Sequence, residues 1–446
     1  MRNNLRALLN HNTPELPSEL IERLALQSSP KAHEFRTNAW QQAQNLPFPD
    51  KKDEAWRRIS LDALLQTPLN LFTAERRTDA DSDRIPAKKA AVYAGCLYSS
   101  PSGSHLALDP KLAQAGLVLC DYNEAEKKHP DFIAQYSGKI VPPTDGKFAA
   151  AALGLAEYGL VLRVPRSLRA EQPLYARLDA GTSGSAAFSH SLIHLEAGAS
   201  AVLVLDYRSS SAKGSAKNRL HLGVLEVKLE AGAELTLVEL QQFTPDVWNI
   251  THERAALESN ARLHWVYGAL GANLSKNFIE ASLRGAGAET KMHGLFFASG
   301  QQVFDLDTQQ DHLAAHTTSD LLYKGAAAGS ARTIWEGMIY VAPEAMQTDG
   351  YQTNRNLMLS EAAEMNALPG LEILADDVRC SHGATIGRLD EDELFYLQTR
   401  GIPRAEAEQL VMEGFFGEVI EQVPVESLRA ELKKVLNARF TLAVTP

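Results

Sequence analysis

"LEAGASAVLVLDY" (Leu195–Tyr207) and "LEAGAELTLVELQQF" (Leu229–Phe243) share one plan: an apolar residue, a tight turn of small residues ending in Ala, then a strand. The plan returns as "LESNARLHWVYGAL" from Leu257 and, with one extra residue, as "LRGAGAETKMHGLFF" from Leu283. "YKGAAAGSARTIWEGMIYV" from Tyr323 and "LSEAAEMNALPGLEI" from Leu359 read as two further units, giving intervals of 26 to 40 residues. Within the second unit Leu235, Leu237, Val238 and Leu240 mix alternation with a continuous run, the pattern of a strand buried on one face and packed near a turn. A unit of two short strands cannot bury its inward face alone and must lie on its neighbours, so the repeat predicts stacked β-coils. A β-sandwich is the alternative for the same strands. No helix of ten residues is required anywhere between 190 and 380.

Helices are expected on both sides of the repeats. "PSELIERLAL" places Leu20, Ile21, Leu24 and Leu26 at helical spacing, and "SSPKAHEFRTNAWQQAQNL" opens with Ser29 as N-cap and Pro30 at the first helical position. Pro47 and Pro49 stop that helix, and "KKDEAWRRISLDALL" reads as a further short helical stretch or turn. The polar "AERRTDADSDRIPAKK" (74–89) reads as a linker, with a boundary near residue 85. After residue 388, "DEDELFYLQTRG" runs from acidic residues to Arg400 and a Gly401 stop, the charge order that complements a helix dipole. "RAEAEQLVMEGFFGEVIEQV" and "VESLRAELKKVLNARF" are amphipathic. Three such helices cannot form a large core, so the tail must dock on the solenoid, on a partner, or on both. The expected domains are thus 1–85 helical with a linker, 86–388 the β core, and 389–446 helical.

The chain has 446 residues, too many for one ordinary core, and its 45% hydrophobic and 22% charged residues are those of a folded protein. A formal charge of -11 argues against nucleic acid or an anionic membrane as main partner, since either would be repelled on average. No signal peptide is evident, and no segment approaches the roughly 18 uninterrupted apolar residues of a membrane span, so a cytoplasmic location is expected. Cys96, Cys120 and Cys380 are three widely spaced cysteines without a C-x-x-C pair, which suits a reducing compartment.

Two clusters carry candidate chemistry. In "RCSHGATIG" Cys380 and His382 are two apart, so on a strand both point to one face and can reach one metal or sulfur atom, with Ser381 on the other face. A buried, inert thiol is the plainer reading of a lone Cys. "DLDTQQDHLAAHTTSD" (305–320) collects Asp305, Asp307, Asp311, His312, His316 and Asp320. On a helix His312 and His316 would share a face as zinc-protease ligands do, but Leu313 stands where that motif needs Glu. Paired carboxylates on a β-solenoid would instead suit a carbohydrate lyase or hydrolase, the alternative function, while a polar turn with local hydrogen bonds is the plainer reading. No nucleotide-binding loop or serine-hydrolase elbow is present.

The succession "HTTSDLLYKG", "GMIYVAPEAMQTDGYQTNRNLMLS", "PGLEILADDVRCSHGATIGRLDEDELFYLQTRGI" and "EGFFGEV" strongly resembles the SufB/SufD family of the SUF iron–sulfur cluster assembly machinery. The resemblance covers about residues 190 to 425, and more loosely "KKDEAWRRISL", which is similar to the family's K-x-E-x-W segment. It implies a mainly β fold, a right-handed parallel β-helix core flanked by N-terminal and C-terminal helical domains. It further implies a non-enzymatic scaffold that pairs with a SufB-like paralogue and binds a SufC-like ATPase through the helices from 404 to 440; a homodimer is the alternative assembly in isolation. SufB-like chains carry a cysteine where Asn354 aligns and a Glu-His-Glu where Ser381 and Gly383 flank His382, so the chain resembles the SufD branch. By resemblance, His382 is a metal ligand to a transient iron–sulfur cluster shared with SufB, Cys380 is its companion, and reduced flavin is a candidate cofactor of the complex.

Overall fold

The computed structural model of the chain describes residues 3–4, 6, 9, 22, 29–69, 92–181, 183–209 and 218–444. The expected helix at 17–26, apart from Glu22, and the expected linker at 74–89 fall outside the described residues. The centre of the molecule is a β-solenoid of about eight turns, whose strands alternate between a nine-stranded and a ten-stranded sheet. From Leu174 onward the described strands of both sheets are parallel to their neighbours; the antiparallel pairs of these two sheets lie at the first end, where Val118–Asp121 meets Leu160–Val164 and Gly103–Leu108 meets Gly95–Ser100.

The first four repeat units stack in register, with Leu195, Leu229, Leu257 and Leu283 on successive strands. The row continues through His312, Val341 and Ile373. The units begun at Tyr323 and Leu359 are a correction to the sequence reading: they lie at the opposite corner, where Thr318–Ala327 leads into Arg332–Val341 and Thr348–Met358 into Glu364–Ile373. Both corners are built from small residues, and Gly329 is left-handed (φ 68°) at the second just as Gly198 is at the first, so composition does not tell them apart.

A left-handed residue recurs at the first corner: Gly198, Gly232, Asn260, Gly287, His316 and Gln347, with φ between 55° and 73°. Each donates its N–H to the next coil, to the carbonyls of Ala231, Ser259, Ala286, Ala315, Met346 and Asp377 in turn. Glycine serves this position because it carries no Cβ to clash with the following carbonyl; Asn and His are among the side chains that tolerate it best.

Leu203, Leu237, Trp265, Met292 and Leu321 form one inward row of the ten-stranded sheet and fill the lumen. Val238 and Leu240 point the other way, against Met412, Phe416, Val419 and Leu432 of the C-terminal helices. The continuous run at 237–238 therefore marks a strand buried on both faces, not on one. The helices Arg404–Ile420 and Glu426–Val444 are held on this sheet by an apolar seam and by Lys324, which donates to Phe415 O (2.9 Å) and pairs with Glu418 (2.6 Å).

The nine-stranded sheet is covered by an N-terminal layer. Pro30–Asn45 starts as expected, Ser29 Oγ accepting from Ala32 N at 3.3 Å, and Lys147 caps its far end on the carbonyls of Ala43 (2.5 Å) and Leu46 (2.6 Å). "KKDEAWRRISLDALL" becomes a 3₁₀ turn at Glu54–Trp56 and a helix at Asp62–Gln66. Four helices between Pro110 and Leu155 have no counterpart in the sequence reading; the last, Lys147–Leu155, is buried along its whole length between Pro30–Asn45 and the sheet.

Leu237 pairs with Leu203 and Trp265 inside this ladder and is fully buried. Leu237→Pro removes a ladder N–H and leaves part of the lumen unfilled, and should cost about 3 kcal/mol or more. Denaturant unfolding of the whole chain checks it, with Arg262→Ala at the exposed rim of the neighbouring strand as the near-neutral control.

Candidate functional site at the open end of the solenoid

Cys380 and His382 lie on Val378–Arg388, the last strand of the ten-stranded sheet, as the strand reading expected. That strand and Glu364–Ile373 close the two sheets and, among the described residues, have a neighbour on one side only. His382 is exposed and Cys380 half-buried, while Ser381 lies beside Tyr351 in register.

The register fixes where the two side chains point. His382 pairs with Gln352, which pairs with Leu321, so it ends the row that fills the lumen with Leu203, Leu237, Trp265 and Met292 farther down. Gln352 Nε2 crosses the lumen to Gly370 O at 2.9 Å on the opposite sheet. His382 thus stands over an interior that changes from apolar to polar in its last coils. Cys380 ends the adjacent inward row through Leu263, Thr290, Ser319 and Gly350.

Gly350 leaves the room the thiol uses. A Cβ there would lie 3.2 Å from Cys380 Sγ, 3.3 Å from Ile339 Cγ2 and 3.4 Å from His312 Nε2, tighter than ordinary contact. Burial raises the Cys380 pKa; the Gly350 N–H, which favours the thiolate, opposes this only in part. The thiol is therefore mostly protonated near neutrality, and it would become a ligand or acceptor on losing its proton to an incoming metal.

The second cluster is dispersed. His312 is inward, at the end of strand Val303–His312, with Nδ1 2.7 Å from Thr317 Oγ1 and Nε2 2.8 Å from Ser319 Oγ; burial lowers its pKa to about 4, so it is neutral. His316 is the left-handed corner residue described above, so the helical pairing with His312 does not form. Asp305 and Asp307 face outward and share Lys276 Nζ at 2.8 and 2.7 Å; burial raises both carboxyls against the pull of that ammonium. They are not two free carboxyls set to act as acid and base. Asp311 accepts from Gln309 (2.7 Å) and Ser282 (3.2 Å), and Asp320, on the ten-stranded sheet, lies 3.7 Å from His293 of the adjacent strand.

Residues 177–415 match the family described as SUF system FeS cluster assembly, SufBD core domain, and residues 15–175 match the SufBD protein N-terminal region. The chain belongs to the SufBD family. It is 30% identical over 387 residues to an iron–sulfur cluster assembly SufBD family protein of Mycobacterium leprae, covering 84% of this chain and 96% of that one. It is 25% identical over 426 residues to the iron–sulfur cluster assembly protein SufB of Bacillus subtilis, covering 92% of this chain and 90% of that one. A SufBD family protein of Staphylococcus epidermidis is 25% identical over 319 residues, covering 72% and 68%. Membership of the SufBD family places the chain within SUF iron–sulfur cluster assembly. Reading the sequence singled out Cys380 and His382 but not Gly350 and Gln352 beneath them, whose signal was their place in the inward rows that run through Leu235 and Leu237.

Cys96 and Cys120 are buried, and burial beside Glu124 and Asp121 pushes the Cys120 thiol up to about 12. N-ethylmaleimide at neutral pH should therefore modify the native chain at Cys380 alone, and Cys96 and Cys120 only after denaturation. Peptide mass mapping before and after unfolding reads this out; early labelling of Cys120 would contradict the packing.

Proposed function

We propose that this chain is the SufD-like, non-enzymatic scaffold subunit of a cytoplasmic SUF complex, in which its open end meets a SufB-like paralogue and the nascent cluster is held between them. The observation that carries the proposal is the terminal coil: it presents an imidazole and a thiol on one inward face while both of its strands keep an unpaired edge. Unpaired strand edges of ten and eleven residues are docking surfaces, since their N–H and C=O groups need partners. Imidazole and thiolate are competent iron ligands, and two donors do not complete the ligand shell of a cluster, so the remaining ligands come from the second chain. The SufD-like assignment is supported by Asn354, buried and donating to Tyr323 O at 3.2 Å where a SufB-like chain would bring a thiol.

His382→Ala should leave the complex assembled and remove most of its cluster. Cys380→Ser should have a smaller effect if the thiol only supports the site, and a comparable one if it is itself a ligand. Iron and acid-labile sulfide per complex, after co-expression with SufB- and SufC-like partners, are the readout, and complex yield controls for folding. Normal cluster content in His382→Ala would leave the imidazole a structural side chain.

The tail is proposed to bind the SufC-like ATPase through the surface it does not spend on the solenoid. Met412, Phe416 and Leu432 are committed inward, whereas Phe395 (66% exposed), Tyr396 (57%) and Leu410 (44%) face out. Phe395→Ala with Tyr396→Ala should weaken ATPase binding by about tenfold or more, with an unchanged thermal midpoint because neither ring is in the core. Surface-immobilised titration measures it. Removing 404–446 is a poorer test, because it uncovers Val238, Leu240 and Phe297.

A further inference from the structure

Beside the first corner the outer face of the ten-stranded sheet is open, and among the described residues no side chain of the tail lines the groove of about 610 Å³ there. Val266 points outward against the tail, so His264, two residues before it on Arg262–Ala269, is outward too. His293, on Glu289–Ala298, pairs in register with Val266, and Asp320, on Thr318–Ala327, pairs with Lys291. His264 and Asp320 therefore lie diagonally on either side of His293. The strand that carries His293 is three below Val378–Arg388, about 14 Å at about 4.8 Å per strand, and the pair faces away from the lumen. It is separate from the open end.

His264 Nε2 lies 3.2 Å from His293 Nδ1, with the two rings edge to face at 89°. Two zinc–nitrogen bonds of about 2.0–2.1 Å at a tetrahedral angle hold their nitrogens about 3.3–3.4 Å apart, so the pair stands close to the bite of one metal ion. On the far side His293 Nε2 is 3.7 Å from Asp320 Oδ2. A carboxylate there favours the proton on Nε2 and leaves the Nδ1 lone pair toward His264, the orientation that carboxylates give to metal-bound histidines. Without a metal, His264 Nε2–H donates to that lone pair. Moving the same proton to His264 Nδ1 makes Nε2 a second ligand. Lys291 stands in register between His264 and Asp320 but is exposed, so solvent screens its charge.

These features select the ligand. Imidazole nitrogens suit first-row transition ions, whereas Mg²⁺ and Ca²⁺ take oxygen. Among the described residues no three His, Cys, Asp or Glu side chains converge as a metal site, so the chain supplies two ligands and water the rest. That is the make-up of an exchangeable site, since a structural zinc takes four protein ligands. The groove carries no net charge to repel a cation, because Arg169, Arg262 and Lys291 are matched by Glu171, Glu234 and Glu289. We propose that His264 Nε2 and His293 Nδ1 bind a divalent first-row transition-metal ion in exchange with solvent, and that Asp320 is the residue that positions His293. The proposal does not depend on the role of Cys380 and His382.

The test uses the full chain carrying Cys380→Ser and His382→Ala, which removes the donors of the open end. In isothermal titration calorimetry Zn²⁺ should bind with a Kd below about 100 µM, and Mg²⁺ should show no binding below about 1 mM. His264→Gln and His293→Gln should each weaken Zn²⁺ by about tenfold or more, because one imidazole remains. Asp320→Asn keeps the shape and should weaken Zn²⁺ by about tenfold at an unchanged thermal midpoint. A crystal of the unsubstituted chain soaked in Zn²⁺ needs no variant to fold: an anomalous peak should lie about 2.0–2.1 Å from both His264 Nε2 and His293 Nδ1. The proposal is overturned by a Zn²⁺ Kd above about 1 mM, by full affinity in both histidine variants, by Mg²⁺ binding as tightly as Zn²⁺, or by a map without a peak between the two rings. Full affinity in Asp320→Asn overturns the part given to Asp320.

Discussion

The hydrogen bond from each corner residue to the coil above it is the constraint on which this molecule rests. A parallel ladder can be built at many registers, and a slip by one residue would turn every inward side chain outward. The left-handed corner pins the register once per coil, because the N–H of Gly198, Gly232, Asn260, Gly287, His316 or Gln347 reaches its carbonyl only when the strands beside it are aligned. With the corners fixed, Leu237 meets Leu203 and Trp265, the lumen fills, and both outer faces become apolar enough to be covered by helices.

The covering layers are attached differently. Both layers meet their sheets through apolar side chains, but the N-terminal layer adds a set of buried polar anchors. Glu226 accepts from the N–H groups of Gly138 and Ile140, both at 2.7 Å, and lies 2.8 Å from His190. Arg36 grips Glu126 at 2.9 Å and donates to Ala156 O at 2.7 Å. Such paired charges add less to stability than to fixing one arrangement, while losing one partner leaves a costly buried charge. Trp56 packs between this layer and the sheet, its ring 5.3 Å from that of Phe148 and 5.7 Å from that of Phe278.

The alternation in "AELTLVELQQF" and the small-residue turns made the coils legible in the sequence, because strand period and turn chemistry are local properties. The two corners were not distinguishable, since each asks for the same residue types, and the repeat was followed across the wrong corner at Tyr323. His316 misled for a related reason: its spacing from His312 suggests a helix, and only the coil-to-coil hydrogen bond shows that the ring rides on a turn. Cys380 and His382 were legible because the period of a strand is enough to put them on one face. Gly350 and Gln352 were not, because their meaning comes from the strand below. The helices between 110 and 155 escaped because "KFAAAALGL" has no polar face to give it a helical period; it is buried all round.

A solenoid is nearly one-dimensional, so the cost of opening a coil depends on how many neighbours it has. Among the described residues the coil formed by Glu364–Ile373 and Val378–Arg388 rests on one neighbour, and the lumen at this end holds His382 over Gln352 of the coil beneath, where deeper coils hold Leu, Trp and Met. The free energy of local opening should therefore fall toward this end, and amide hydrogens should exchange fastest in the strand that carries Cys380 and His382. A partner laid across that edge would supply the missing neighbour and slow the exchange, so that binding and the ordering of the site become one event.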